Sequence, residues 1–210
     1  MGSCGRLKNR RHQGGKCDVG KLFFVIGPHC SGKTTILQTL EAKGGIVARG
    51  SEIGKDLYYE RSFSTAEQNH AFELEVADME LKRDHEFSML DGVIGVETWH
   101  PGNLAYAMVR NPESAEDLYE VANKSPFMKK AFGIWLRIPG EVIKDRTLTF
   151  ADNPEWAADF YGKIDDCLEG ILKRMNLYDS TLIIDACMSK EDILRQVETY
   201  LDKNDELILN

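Results

Sequence analysis

The stretch that decides the fold is LFFVIGPHCSGKT, residues 22–34, in which an apolar run leads directly into the pattern G-x-x-x-x-G-K-[ST]. Such a loop binds phosphate only between a buried strand and a helix. There its backbone N–H groups and the positive end of the helix dipole converge on phosphate oxygens. Thr35, Ile36, Leu37 and Leu40 continue with helical apolar spacing. The sequence therefore predicts a strand, a phosphate-binding loop and a helix, and with them a nucleotide site.

The chemistry of this loop predicts ATP and Mg²⁺ as cofactors. Lys33 is expected to reach the β- and γ-phosphates, and the Thr34 hydroxyl is expected to bind Mg²⁺. The other loop residues predicted to contact the nucleotide are Gly27, His29, Cys30, Ser31, Gly32 and Thr35.

Composition narrows the function classes further. A chain of 210 residues with 42% hydrophobic content fits one α/β domain, and no apolar run reaches the length of a membrane span. The net charge of −8 and the lack of a basic stripe disfavour duplex nucleic acid as a partner. Five cysteines without paired spacing suit a reducing compartment, so a cytoplasmic location is predicted.

The predicted organisation is one domain between two tails. Residues 1–20 are basic and polar and lack the apolar core of a secretory signal, so they are predicted to be a disordered tail. Residues 21–203 are predicted to form the P-loop domain, and residues 204–210 a C-terminal tail. No internal repeat or further boundary is evident.

Five apolar runs are predicted to be strands: residues 22–26, 46–48, 92–96, 132–138 and 182–184. Helices are predicted between them. They include a long helix opened by a capping box at residues 64–67, with Phe72, Val76, Met79 and Phe87 on one face. Others are expected near residues 113–123, after Pro139, through Ile164 to Met175, and after the cap formed by Ser189 with Asp192. Residues 99–112 and 147–155 are expected to be irregular.

This alternation predicts a parallel sheet covered by helices on both faces. Ligands bind such sheets beyond the carboxyl ends of the strands. The phosphate loop, Glu97 and Asp185 are all predicted to lie at those ends.

Four stretches resemble the thymidylate kinase and deoxynucleoside kinase group of P-loop kinases. They are the phosphate loop, ETWHPGNLAY at 97–106 (similar to D-R-Y-x-x-S-x-L-A-Y), IWLRIPGEV at 134–142 with Asp145-Arg146, and IIDA at 183–186. The resemblance implies a three-layer fold with a five-stranded parallel sheet and a short lid. It also implies transfer of the ATP γ-phosphate to a nucleoside monophosphate or nucleoside, and a homodimer is a possible assembly.

The resemblance also implies roles for individual residues. Glu97 would contact the acceptor and the water shell of Mg²⁺, or accept the proton of an acceptor hydroxyl; capping a neighbouring helix is the alternative. Arg146 would lie near ATP at the start of the lid; the alternative is that it forms a salt bridge at a helix end. Asp185 and Ala186 would lie beside the adenine.

The acceptor site is less clearly marked. Arg49 is placed where thymidylate kinases have an acceptor arginine, although a solvated arginine fits equally well. Phe72, Trp99 and Tyr106 are candidates to stack on a base, although such aromatic residues are more often core.

Three departures from the family pattern concern cations. Thr98 stands where an arginine follows the strand-three acid, and Ala77-Asp78-Met79 lacks the arginine that grips an acceptor phosphate, for which Arg83 is a possible substitute. The resemblance also implies a catalytic arginine, either in the phosphate loop or in the lid. Here the loop has His29 instead, and the lid residues 147–162 contain no lysine or arginine. Recognition of an acceptor phosphate is thus weakened, which favours a neutral acceptor. The alternatives are another hydroxyl acceptor, such as an RNA 5′-OH end or a metabolite, and an ATP-binding regulatory module with little turnover.

Overall fold

The fold is built on five parallel strands. A computed structural model describes residues 20–58, 61, 65–148 and 152–206. The strands are β1 (Lys21–Ile26), β2 (Ala48–Gly50), β3 (Val93–Glu97), β4 (Phe132–Arg137) and β5 (Thr181–Asp185). Their order is β2-β3-β1-β4-β5, with every neighbouring pair parallel. The predicted five-stranded parallel sheet is confirmed, and β1, which leads into the phosphate loop, lies at its centre.

Helices cover both faces of the sheet. They are α1 (Lys33–Ala42), α2 (Ile53–Tyr58), α3 (Ala66–Phe87), α4 (Trp99–Arg110), α5 (Ala115–Ala122), α6 (Gly140–Thr147), α7 (Pro154–Arg174) and α8 (Lys190–Glu206). Alternate residues of β1 point to opposite faces, as the pleat requires. Leu22, Phe24 and Ile26 pack with α3, α4, α5 and α7. Phe23 and Val25 pack with α1, α6 and α8. None of the helices within the described ranges is long and apolar enough to cross a membrane.

Local signals set the helix starts. Thr65 accepts a hydrogen bond from Gln68 N at 3.2 Å, and Ser189 accepts one from Asp192 N at 3.1 Å, as expected of N-caps. The predicted capping box therefore uses Thr65; Ser64 lies outside the described residues. The predicted tail 1–20 also lies outside them except for Gly20. At the other end, α8 runs past the predicted boundary at residue 203.

Several predicted details are wrong. Residues 99–112 are mostly helix, because Pro101 falls in the first turn of α4, where the missing N–H would have no intrahelical partner anyway. Strand β2 begins two residues later than predicted. Met79 is 42% exposed, because the buried face of α3 continues from Phe72 and Val76 through Glu80 and Asp84 instead. Much of the predicted lid is the first two turns of α7, which starts at Pro154.

Candidate functional site: a phosphate loop beside an aromatic cavity

The phosphate loop has the backbone geometry that its glycines predict. Gly27 has φ +141°, and a Cβ there would lie 2.3 Å from the Leu136 carbonyl oxygen, so only glycine fits between β1 and β4. Gly32 has φ +101° at the N-cap of α1, and Cys30 has φ +62°. These conformations turn the chain between the end of β1 and the start of α1. The helix N-terminus therefore faces the loop's concave side, as an anion site requires.

Lys33 is held against the loop backbone. Its side chain is buried, and Nζ donates hydrogen bonds to the Gly27 and Pro28 carbonyl oxygens, each at 3.1 Å. The ammonium group is thus fixed within the loop, where it can exchange these carbonyls for phosphate oxygens.

Glu97 faces the phosphate loop from the end of β3. Its Oε1 and Oε2 lie 2.9 and 2.8 Å from the Thr34 hydroxyl, which donates to the carboxylate. Burial raises the pKa of Glu97, while Lys33 and the Thr34 hydrogen bond act in the opposite direction. A hydroxyl and a carboxylate side by side are oxygen ligands of the kind that Mg²⁺ takes together with nucleotide phosphates and water. The pair therefore fits the predicted metal site.

The turn after Glu97 is strained. Thr98 and Trp99 have φ +68° and +49°, which is unusual for two successive residues with side chains and most of all for a β-branched one. The neighbouring Gly102 makes room for this turn, since a Cβ there would lie 2.5 Å from Thr98 Cγ2. Thr98 N also donates to the Val25 carbonyl at 2.9 Å. Strained backbone of this kind costs about 1–3 kcal/mol per residue and is typical of functional sites.

Arg146 connects two parts of the predicted nucleotide site. Nη1 donates to the Cys30 carbonyl at 3.0 Å and Nη2 to the Ala186 carbonyl at 2.9 Å. The turn after β5 is closed by Asp185, which accepts from Cys187 N at 2.8 Å. The phosphate loop and the predicted adenine-side turn are therefore joined by one guanidinium group.

These groups surround a first cavity of about 430 Å³, the donor cavity. Its lining residues are His29, Cys30, Gly32, Lys33, Thr34, Thr35, Glu52, Lys55, Glu97 and Arg146. Most of the predicted nucleotide contacts are thus brought together. Ser31 is buried beneath the loop, and its Oγ has no hydrogen-bond partner among the described residues. Of the predicted contacts, Gly27, Ser31, Asp185 and Ala186 are not among the lining residues of the cavity.

A second cavity of about 560 Å³ adjoins the first. We call it the acceptor cavity, after the predicted acceptor residues Phe72 and Tyr106 that line it. His29, Glu52 and Lys55 line both. The aromatic lining residues of the second cavity come from α2, α3, α4 and α7: Tyr58, Phe72, Tyr106, Trp156, Phe160 and Tyr161. Trp156 and Phe160 stack with centroids 5.0 Å apart and planes at 10°. The cavity therefore offers aromatic faces to a planar ligand within reach of the phosphate loop.

A buried ion pair lines part of the acceptor cavity. Arg110 Nη2 lies 2.8 Å from Glu73 Oε1, and the Glu73 side chain is 2% exposed. Burial raises the pKa of Glu73 to about 7, against the opposing effect of Arg110. The Arg110 guanidinium also lies 5.5 Å from the Phe72 ring centroid and 5.3 Å from that of Tyr106. Arg110 is thus engaged by protein groups on several sides.

His29 separates the two cavities as a neutral ring. It stacks on Tyr161 with centroids 5.4 Å apart and planes at 19°. Burial, followed by the charge of Lys33, lowers the pKa of His29, so the imidazole is uncharged near pH 7. His29 therefore adds no positive charge to the phosphate loop near pH 7.

Of the predicted acceptor residues, Phe72 and Tyr106 line the acceptor cavity, but Arg49, Arg83 and Trp99 do not. Trp99 is 0% exposed, stacks on Phe24 at 5.5 Å and donates Nε1 to Asp84, so it is a core residue. Arg49, the middle residue of β2, donates to Glu41 at 3.0 Å. The Arg83 guanidinium binds Ser51 O and Glu80.

Sequence reasoning missed the residues that join and line the cavities. Glu52 and Lys55 belong to a short connection with no motif. Glu73 is a charged residue at a buried position of α3, and Arg110 is a half-buried one at the end of α4. Glu73 precedes Val76 by three residues on an apolar face, which is the one pattern that marks it in advance. Trp156 and Phe160 are four residues apart at the start of α7, a spacing that predicts a shared face.

Solved structures share this fold. One is a deoxyadenosine kinase from M. mycoides with products dCMP and dCDP bound, which is 15% identical with a TM-score of 0.65. The match covers 87% of this chain and 99% of that one. Thymidylate kinase from Candida albicans is 16% identical with a TM-score of 0.65, covering 89% and 92%. A NadR protein in complex with NR is 14% identical with a TM-score of 0.64, and the match covers 88% of this chain and 50% of that one.

No family model matches the sequence, and no curated protein sequence matches it significantly. At such low identities the structural likeness establishes the fold. The chain has the P-loop kinase fold that deoxynucleoside and thymidylate kinases share. It is a divergent example of that fold.

Proposed function

We propose that this protein is an ATP-dependent kinase that transfers the γ-phosphate to the hydroxyl of a nucleoside. The observation that carries the proposal is the meeting of the two cavities at His29, Glu52 and Lys55. One cavity has the phosphate loop, and the other has aromatic walls suited to a base. A hydroxyl at their junction would lie next to the γ-phosphate.

The donor half would act mainly by positioning and charge neutralisation, as phosphoryl transfer requires. Lys33 would bind phosphate oxygens, and Thr34 with Glu97 would hold Mg²⁺, which neutralises charge on the β- and γ-phosphates when bound. Arg146 would keep the loop and the adenine-side turn at a fixed separation. Because the Glu97 carboxylate is already directed at Thr34, its geometry favours the metal role over that of the general base.

Glu52 is the better candidate for the base. It lines both cavities, so its carboxylate is within reach of a hydroxyl placed between them. As the acceptor oxygen bonds to the γ-phosphorus, the bond from that phosphorus to the ADP oxygen breaks, and the hydroxyl proton passes to Glu52. General-base catalysis of this kind contributes about 10²–10⁴-fold in rate.

The charges of the acceptor cavity favour a neutral nucleoside over a monophosphate. Its acidic lining residues are Glu52, Glu73 and Asp152, and its basic ones are Lys55 and Arg110. Above the Glu73 pKa of about 7, Arg110 is paired with an ionised carboxylate, so Lys55 is then the cation left for an acceptor phosphate among the described lining residues. A phosphate dianion would therefore meet unfavourable charge and little compensation.

The cytoplasmic location and the homodimer remain predictions from the sequence.

The test is ADP release from ATP and Mg²⁺ with a panel of nucleosides, nucleoside monophosphates and short RNAs with a 5′-OH. We expect at least one nucleoside to stimulate turnover more than its monophosphate does. Glu52→Gln should lower kcat about 10²-fold or more while leaving ATP affinity unchanged. Glu41→Gln, at an exposed carboxylate paired with Arg49, is the matched control. ATP binding without stimulation by any acceptor would contradict a kinase, and stimulation by RNA alone would identify a different acceptor.

A further inference from the structure

We propose that Arg83 is a positioning residue that fixes the segment 51–58, and with it Glu52 and Lys55 at the junction of the two cavities. The catalytic consequence rests on the function proposed above, whereas the anchoring itself does not. Arg83 was a candidate to bind the acceptor, but its guanidinium faces the backbone behind the cavity.

The contacts of Arg83 define an anchor with two ends. Nη1 donates to the Ser51 carbonyl at 2.8 Å, and Nη2 donates to Glu80 Oε1 at 2.9 Å. The side chain is 12% exposed, so water competes little for these hydrogen bonds. One end therefore holds the residue immediately before Glu52, and the other is fixed to α3.

Gly50 allows the guanidinium to approach the backbone so closely. A Cβ at Gly50 would lie 3.0 Å from Arg83 Cζ and 3.0 Å from Nη1. A Cβ at this position would press on the guanidinium, which would have to shift by a few tenths of an ångström. The glycine at the end of β2 thus leaves the space that the Arg83 guanidinium occupies.

The anchored segment also contacts α3 through Tyr58, whose ring meets that of Phe72 edge-on with centroids 6.5 Å apart. Helix α2 has six residues, and none of them is buried. A helix this short does not persist by itself in water, so its position depends on tertiary contacts. One of these is the approach of Gly54 to Val76, where a Cβ would lie 3.8 Å away. The hydrogen bond from Ser51 Oγ to Asp56 at 3.1 Å is internal to the segment. Arg83 therefore supplies a directional link from α3 to this part of the site.

Glu80 favours keeping the anchor in place, because its carboxylate is buried beside Arg83. Glu80 is 0% exposed, and its Oε2 has no hydrogen-bond partner among the described residues. The neighbouring Asp84 is occupied by Trp99, His100 and Ser125. If Arg83 moved away, a buried carboxylate would lose its charged partner, which is strongly unfavourable.

Hydrogen–deuterium exchange of the full-length protein tests the anchoring without any substrate. Arg83→Met and Gly50→Ala should each speed exchange of the amides of residues 51–58 by about tenfold or more, with β1 and β4 unchanged. Arg195→Met is the matched control, since Arg195 also pairs with an acid three residues away but is 75% exposed on α8. Unchanged exchange at 51–58, or an equal rise throughout the protein, would overturn the proposal.

A double variant separates positioning from folding. Adding Glu80→Gln to Arg83→Met removes the uncompensated buried carboxylate, so the melting temperature should recover while fast exchange at 51–58 remains. Arg83→Lys should restore part of the protection, because an ammonium can still reach one of the two acceptors. If the double variant regains wild-type exchange, Arg83 contributes stability alone and the proposal fails.

Kinetics then connects the anchor to catalysis. With an acceptor that the wild-type protein phosphorylates, Arg83→Met with Glu80→Gln should lower kcat/KM for that acceptor about tenfold and leave ATP affinity within twofold. Unchanged kinetics beside fast exchange would exclude the catalytic consequence. A wild-type protein that phosphorylates no acceptor would contradict the kinase proposal instead, and exchange would still decide the anchoring.

Discussion

The donor and acceptor cavities are built in different ways. The donor cavity is formed mainly by the loop between β1 and α1 and by the first turn of α1. In this loop Gly27 and Gly32 take backbone conformations that side chains disfavour. The acceptor cavity is formed by side chains from four helices, one of which, α2, has no buried residue. A phosphate site thus depends on a continuous stretch of backbone, while a site for a planar organic ligand depends on residues far apart in sequence.

The difference has a physical reason. Phosphate is recognised by N–H groups and a helix dipole, which every sequence provides once the loop has the right shape. A base is recognised by ring faces and buried polar groups, which only particular side chains provide. Substitutions in the two cavities should therefore separate donor effects from acceptor effects.

The largest effect is expected at Lys33. Lys33→Met removes the buried ammonium that faces the phosphates, so turnover should fall about 10³-fold and ATP affinity should fall with it. Binding of the acceptor alone, followed by calorimetry, should stay within twofold. Lys43→Met, at an exposed lysine paired with Glu198, is the control. A loss of acceptor binding in Lys33→Met would show that the two cavities are not separable.

The next effect concerns stability and pH. Glu73 has a pKa of about 7 in the folded protein against a reference of 4.5, so between these values the folded state retains a proton that the unfolded state has released. The free energy of unfolding should therefore fall as pH rises through this window, by about 3 kcal/mol from Glu73. Glu73→Gln should remove that part of the slope in denaturant titrations at pH 4.5 to 8.

Glu75 on the same helix provides the comparison for Glu73. It is exposed and paired with Arg61, so Glu75→Gln should leave the fall of stability with rising pH intact. Equal slopes in wild-type protein and Glu73→Gln would show that Glu73 is ionised in the folded state throughout this range.

A smaller effect is expected at the aromatic wall. Trp156→Ala removes one ring of the stacked pair with Phe160, and stacking of a base on an aromatic ring contributes about 1–3 kcal/mol. Acceptor KM should rise about tenfold with ATP KM unchanged, as steady-state kinetics will show. An unchanged acceptor KM would place the base elsewhere in the cavity.

The smallest effect is expected at Arg49. Its ion pair with Glu41 is exposed and lies outside both cavities, and such pairs contribute about 0–1 kcal/mol. Arg49→Met should change acceptor and ATP KM by less than twofold. A larger rise in acceptor KM would restore the role that the resemblance to thymidylate kinases implies for this residue.

The same contrast explains how far the sequence alone could lead. The loop motif, the alternation of apolar runs with helical patterns and the strand-end Glu97 are signals that can be read locally, so the parallel sheet and most residues of the donor cavity were predictable. Trp99 looked like a stacking residue because it stands in the motif, but its burial depends on Phe24 and Asp84, which are distant in sequence. Glu52 and Arg110 carry no local pattern, and only packing brings them to the cavity.

The exposed position of Trp156 has a spectroscopic consequence. The chain has three tryptophans, and Trp99 and Trp135 are 0% and 2% exposed within the core. Trp156 is 59% exposed and lines the acceptor cavity. Its emission therefore belongs to an indole in contact with water, while the other two emit from buried indoles that donate to carboxylates. The protein thus has an intrinsic optical signal for occupation of this cavity, in its natural sequence and without any attached dye.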